Sequence, residues 1–125
     1  MSHVIELKGL DPSTSFESQL KEETGTVVLV NMFLVPEGAE EQAMTKWKED
    51  AEWMKAQPGY ISAQLHQGTG DSRLMVNIAT WESSEALATA FSDPEFQAKH
   101  DGWPDGTVIY PHIFERVGVQ GICTA

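Results

Sequence analysis

The chain has a single cysteine, Cys123, so no internal disulfide can form. That thiol stands in the C-terminal tail, where an incidental residue is a plainer reading than a reactive one. Basic residues are scarce, with 8 Lys and Arg against 19 Asp and Glu and a formal net charge of -11. Such a surface repels phosphate backbones and anionic lipid headgroups, which argues against nucleic acid and membrane as partners. The longest apolar runs are strand-sized, so no segment reads as membrane-spanning. The N-terminus, MSHVIELKGL, lacks the apolar core of a signal peptide, and we expect a cytoplasmic setting. The chain also lacks a Gly-rich phosphate loop, a CxxC pair, a close HxH or HExxH spacing and any low-complexity tract, so a zinc site has little support.

What is present is a pair of similar halves. The first runs from TVVLVNMFLV through EEQAMTKWKEDAEWMKAQPG to YISAQLHQG, and the second from RLMVNIATWES through SEALATAFSDPEFQAKH to GTVIYPHIFERVG. Each reads as strand, amphipathic helix, strand. Two such units predict an α+β, ferredoxin-like βαββαβ fold, with a four-stranded antiparallel sheet and both helices on one face. The other face is left uncovered, and a second copy is its natural cover, so we expect a homodimer. A chain of 125 residues suits one domain. We divide it into an N-terminal extension (1–25), the domain (26–118) and a tail (119–125).

The first strand, about 26–35, is almost continuously apolar, as a strand covered on both faces must be, and Asn31 interrupts it. PEG at 36–38 turns the chain into the first helix, whose N-terminus carries Glu40 and Glu41. Ala43, Met44, Trp47, Ala51 and Met54 form its expected buried stripe, and Pro58 and Gly59 end it. GTGDS at 68–72 is a hairpin turn between the second and third strands. The second helix starts after Ser83 or Ser84, SDPEF at 92–96 breaks or kinks it, and a further turn runs to His100. DGWPDG at 101–106 is a loop, and the last strand, about 107–117, puts Val108, Tyr110, His112 and Phe114 on one face. Ahead of the domain, strand-like HVIEL and turn-rich DPSTSFESQLKEETG form either a packed extension that adds an edge strand or a disordered arm.

Strand alternation puts Asn77, Ala79 and Trp81 on one face of the third strand. An amide and an indole N–H there have two readings. They donate into a cavity and stabilise an oxyanion, or they are a core aromatic and a backbone-paired amide. Asn31 shares a face with Leu29 and Phe33, and it either fastens the structure or faces a ligand, because an unpaired buried amide costs roughly 1–3 kcal/mol. Of the histidines at 3, 66, 100 and 112, His66 and His112 could meet across strands, but a hydrogen-bonded structural role is the plainer reading. His100, near a helix end, reads as an acid, a base, a haem ligand or a surface histidine favoured by the helix dipole.

At VVLVNMFLVPEG, NIATWES and SDPEFQAKH the chain resembles the antibiotic biosynthesis monooxygenase superfamily of dimeric α/β barrels, over about residues 26–118. TWESSEALATAFSDPEFQAKH is the most specific segment. The superfamily holds oxygenases, isomerases and haem-degrading proteins, so the resemblance implies the fold more firmly than the reaction. Its cofactor-independent quinone-forming oxygenases have an Asn and a Trp four residues apart on the third strand, matched by Asn77 and Trp81. Their helix Tyr corresponds to Leu87. The haem-degrading branch has a strand-one Asn and a helix-end His, matched by Asn31 and His100, but its helix Trp falls on Ala90.

The resemblance implies oxidation of an electron-rich aromatic, phenol- or anthrone-like, by O2 without metal, flavin or other cofactor. Asn77 and Trp81 would hold the oxyanion or a bound oxygen species; the resemblance names no proton acceptor, for which His66, His100 and His112 are candidates. The cavity is expected between sheet and helices, walled by Met44, Trp47, Phe91 and Phe96. Haem binding or degradation is the first alternative. A cofactor-free isomerase or lyase, or a non-catalytic dimeric binding module, is the second.

Overall fold

A computed structural model describes residues 6–125, with every side chain except that of His100. His3 to Ile5 of the expected HVIEL strand lie outside the described residues. The elements are β1 (Glu6–Leu7), α1 (Phe16–Gln19), β2 (Val27–Leu34), α2 (Glu40–Met54), β3 (Tyr60–Gln67), β4 (Leu74–Trp81), α3 (Ser84–Phe91), α4 (Pro94–Gln97), a 3-10 segment (Ala98–Gly102) and β5 (Val108–Phe114). The two βαβ units build one sheet in the order β1-β5-β2-β4-β3, the ferredoxin-like α+β fold.

The sheet has five strands, one more than the expected four, and the addition is parallel: Glu6 and Leu7 pair with Val108 and Ile109 of β5. The cause is the outer edge of β5, whose backbone groups need partners. β1 takes the first part, with Glu6 N–H donating to Thr107 O (3.2 Å) and Lys8 N–H to Ile109 O (2.9 Å). The side chain of Gln19 takes the far part. Its Nε2 donates to Ile113 O and its Oε1 accepts from Ile113 N–H, both at 2.9 Å. Pro111 falls between them on that same edge, so its missing N–H leaves no gap in the ladder to β2.

The helix α2 shows a second departure. Its buried residues are Ala43 and Lys46, with Trp47, Asp50, Ala51 and Met54 partly covered, whereas Met44 is 40% exposed. The stripe therefore runs 43-46-47-50-51-54, a regular three- and four-residue pattern about one residue's rotation from Met44. Met44 faces an outer groove beside Lys46 and Glu49 and is not part of the cavity wall.

The second helical region is cut where the sequence places Asp and Pro together. Ser83 Oγ caps α3 by accepting from Ala86 N–H (3.0 Å), and Asp93 Oδ1 caps α4 by accepting from Glu95 N–H (2.8 Å), with Pro94 in the first turn. Trp53 Nε1 donates to Glu95 Oε1 at 2.8 Å, tying α2 to α4. Where α2 hands over to β3, Gly59 has a φ of +90°, and a Cβ there would stand 2.4 Å from that of Ala86, so only glycine fits.

Two buried clusters fill the space between sheet and helices. Trp81, Leu29, Ala79, Leu87 and Phe16 belong to one, and Phe33, Met75, Ala43 and Trp103 to the other. Among the described residues no helix is long and apolar enough to cross a membrane.

Candidate functional site

Between the two clusters the sheet carries a polar rank. Asn31 of β2 is the direct cross-strand partner of Asn77 of β4, flanked by Leu65 on β3 and Pro111 on β5. Strand alternation turns both asparagines toward the helices, where they border a cavity of about 170 Å3. Directly opposed residues have Cβ atoms about 4.5–5.5 Å apart, so the two carboxamides stand side by side. Their Oδ1 atoms are both buried without a hydrogen-bond partner. Rotation about the last side-chain bond exchanges oxygen and NH2, so each amide can present an acceptor or a donor to an occupant.

Trp81 lies on the same face of β4, 2% exposed, with its ring edge-on to Tyr60 at 5.5 Å. Four residues of strand separate it from Asn77, about 13 Å between Cα atoms. The two therefore meet different parts of an occupant, and the tight amide pair is Asn31 with Asn77.

At the other end of the cavity a charged group breaks the apolar wall. Asp50 of α2 lines it, with its side chain 15% exposed, and Trp103 Nε1 donates to Asp50 Oδ2 at 3.2 Å. Lys46, one turn earlier, places Nζ 3.1 Å from Asp50 Oδ1 as an ion pair, without the alignment of a hydrogen bond. Lys46 is itself 4% exposed, and its Nζ reaches Glu49 at 3.8 Å on the outer side. The indole of Trp103 stacks on Phe33, centroids 5.0 Å apart and planes within 13°. Burial pushes the Asp50 carboxyl above its ordinary 3.8; Lys46 and the Trp103 N–H oppose the rise, and Glu49 adds to it.

Of the residues singled out from sequence, Asn31, Asn77, Trp81, Trp47, Phe91 and Phe96 border this cavity. Met44, His66 and His112 do not. His66 pairs with Val76 and so points to the opposite face of the sheet, exposed. His112 pairs with Val30 on that same far face, where it is 9% exposed, 3.3 Å from Gln19 Nε2 and edge-on to Phe114. His66 and His112 do not meet, because β2 and β4 lie between their strands. The His100 side chain lies outside the described residues. Among those described, no cluster of three or more His, Cys, Asp or Glu is placed to hold a metal ion.

The residues missed from sequence are Asp50, Lys46, Trp103, Tyr60 and Phe16. A signal for the first two existed: positions 46 and 50 sit on the three- and four-residue stripe of α2, where a Lys and an Asp are out of place unless paired. Trp103 had none, because a loop tryptophan reveals its direction only when the loop is folded.

Several solved structures share this architecture. SnoaB, a cofactor-independent oxygenase from Streptomyces nogalater, superposes with a TM-score of 0.70 at 22% identity, covering 78% of this chain and 99% of its own. A proposed monooxygenase from Shewanella loihica gives 0.64 at 28% identity, with 78% and 99% covered. A haem-degrading protein from Mycobacterium tuberculosis gives 0.55 at 23% identity, with 77% and 99% covered. A search of curated protein sequences finds no match. The family profile described as antibiotic biosynthesis monooxygenase matches residues 26–102, well over half of the chain. With its fold and its sequence in agreement, the chain belongs to the antibiotic biosynthesis monooxygenase family.

Proposed function

We propose that this protein is a cofactor-independent monooxygenase that oxidises an electron-rich aromatic, phenol- or anthrone-like, with O2. The observation that carries this reading is the pair of buried, unpartnered carboxamide oxygens of Asn31 and Asn77 in an otherwise largely apolar cavity. A buried amide without a partner costs roughly 1–3 kcal/mol, a cost that an occupant with a phenolic or carbonyl oxygen removes. Apolar and aromatic walls take the flat ring, with Phe91, Phe96 and Trp47 on the helix side. Once ionised, the ring gives electrons to O2 directly. For an anthrone-like substrate, the ring CH2 becomes a carbonyl. One oxygen atom enters the product, the other leaves as water, and four electrons pass from the carbon to O2. The asparagines orient the ring oxygen and stabilise its negative charge where water is excluded, and the Trp81 indole shapes the far end.

The test is oxygen uptake by metal-free protein with an anthrone-type substrate, beside Asn77→Ala and Trp81→Phe. Uptake with quinone formation, reduced about 100-fold or more in Asn77→Ala, is expected for a lost group at the developing charge. Absence of uptake by the wild type across phenol and anthrone substrates would overturn the reading.

Haem fits poorly. The helix Trp of the haem-degrading branch is replaced here by Ala90, 3% exposed inside the core, and Asp50 puts a carboxylate on the cavity wall. A haemin titration without a shifted Soret band is the expected result. We also propose that a second copy covers the sheet face opposite the helices, where Leu74 (38%), Ile78 (40%) and Phe114 (46%) are exposed.

A further inference from the structure

Resting on the oxygenase reading, we propose that Asp50 is the general base of the cavity, taking the proton of a substrate that enters as a neutral acid. Asp50 is the one carboxylate among the described residues that line this cavity, and both histidines whose side chains are described on the sheet point to its other face. Its position relative to the amide pair follows from two links. Trp103 donates to Asp50 Oδ2 and stacks on Phe33, and Phe33 is two residues along β2 from Asn31 on the same face. Phe33 thus stands about 7 Å of strand from Asn31, and Trp103 carries the contact from it to Asp50, so the carboxylate on the helix side and the amide pair on the sheet border the same cavity. A ring lying between them has its acidic O–H or C–H at Asp50 and its oxygen at Asn31 and Asn77.

Charge selects the same substrate. The chain's net charge of -11 disfavours the approach of an occupant that is already anionic. The neutral acid enters and is ionised inside. Lys46 then has a defined part as a positioning residue. Its Nζ lies between Asp50 on the cavity side and Glu49, 59% exposed, on the outer side, and so stays compensated when Asp50 takes up a proton. Desolvation raises the Asp50 carboxyl above its ordinary value, against the opposing pull of Lys46 and the Trp103 N–H, and so makes it a stronger base.

The proton balance closes for an anthrone-like CH2. Asp50 takes the first C–H proton, and the carbanion adds O2 to form a C–O bond. The resulting peroxide anion recovers the proton from Asp50. The O–O bond then breaks as Asp50 takes the second C–H proton, a carbonyl forms, and the departing hydroxide leaves as water with that proton. Asp50 ends as it began.

The experiment compares wild type, Asp50→Asn and Asp50→Asn/Lys46→Met. The asparagine keeps an oxygen for the Trp103 N–H, and the double variant removes the lysine that the single one leaves buried without its anion. Each is assayed for oxygen uptake with two substrates, one fully protonated at the assay pH and one bearing electron-withdrawing groups and already ionised. Loss of a base predicts about 100-fold or more slower initial oxygen uptake on the protonated substrate, with little change in initial uptake on the ionised one, whose O2 addition needs no prior proton removal. Equal losses on both substrates mean that Asp50 only holds the structure, and no loss on either means that it is idle. Both results overturn this proposal and leave the oxygenase reading standing. Absence of uptake by the wild type overturns the oxygenase reading itself, and this proposal with it.

Discussion

Asn31 and Asn77 give the clearest conflict between stability and use. Each places a buried oxygen without a protein partner into an apolar setting, so replacement by leucine, similar in volume and without polar atoms, removes a desolvation cost. We expect Asn31→Leu and Asn77→Leu each to raise stability by about 1 kcal/mol while oxygen uptake collapses. Urea midpoints measure the first effect, and a loss of stability in either variant would mean that its amide is structurally paired. Asp50 gives a second prediction. Its folded-state pKa is raised, chiefly by desolvation, so between its ordinary 3.8 and the raised value the native state holds more protons than the unfolded one. The Asp50 contribution to stability is therefore present at low pH and lost as pH rises through the folded value. Relative to Asp50→Asn, the wild type should lose stability as pH increases from about 4 and then level off; an opposite slope in paired unfolding curves would refute this. Asp50 was within reach of sequence reading as a charge on an apolar stripe. The opposition of Asn31 and Asn77 was not, because two residues 46 positions apart become partners only through strand register.

At the scale of elements, the edge of β5 is held by a side chain as much as by a strand. Gln19 supplies both a donor and an acceptor to Ile113, as a residue of a sixth strand would. Gln19→Ala leaves that backbone N–H and C=O without their partner, and we expect a loss of about 1–3 kcal/mol. Amide hydrogen exchange should speed up at Ile113 and remain slow along β4. Exchange unchanged at Ile113 would show that another group holds the edge. The strands, the proline-broken second helical region and its Ser83 cap were legible because alternation and turn chemistry are local. The two-residue strand β1 was only partly so, since a pair of residues has no period and gains its identity from the edge it covers.

At the scale of the whole molecule, one face of the sheet is sealed by helices and the other is partly open. A second copy lying there would bury Ile78, which is 40% exposed and stands on the far face of β4. Ile78→Glu should leave the protomer folded by circular dichroism, because an exposed site tolerates the charge. Light scattering should report a dimer for the wild type and a monomer for this variant. A wild-type monomer at micromolar concentration would remove the proposed partner.

The order of residues determined the class of fold by itself, because period-two and period-3.6 patterns repeat in the same sequence through both halves and need no distant information. It also determined the face that Asn77 and Trp81 share, since alternation along one strand is local. Only the tertiary structure decided what those residues meet. Register set Asn31 against Asn77, and strand order put two strands between His66 and His112. The folded loop brought Trp103 onto Phe33 and Asp50. Each of these depends on contacts between segments far apart in the chain, which periodicity cannot encode.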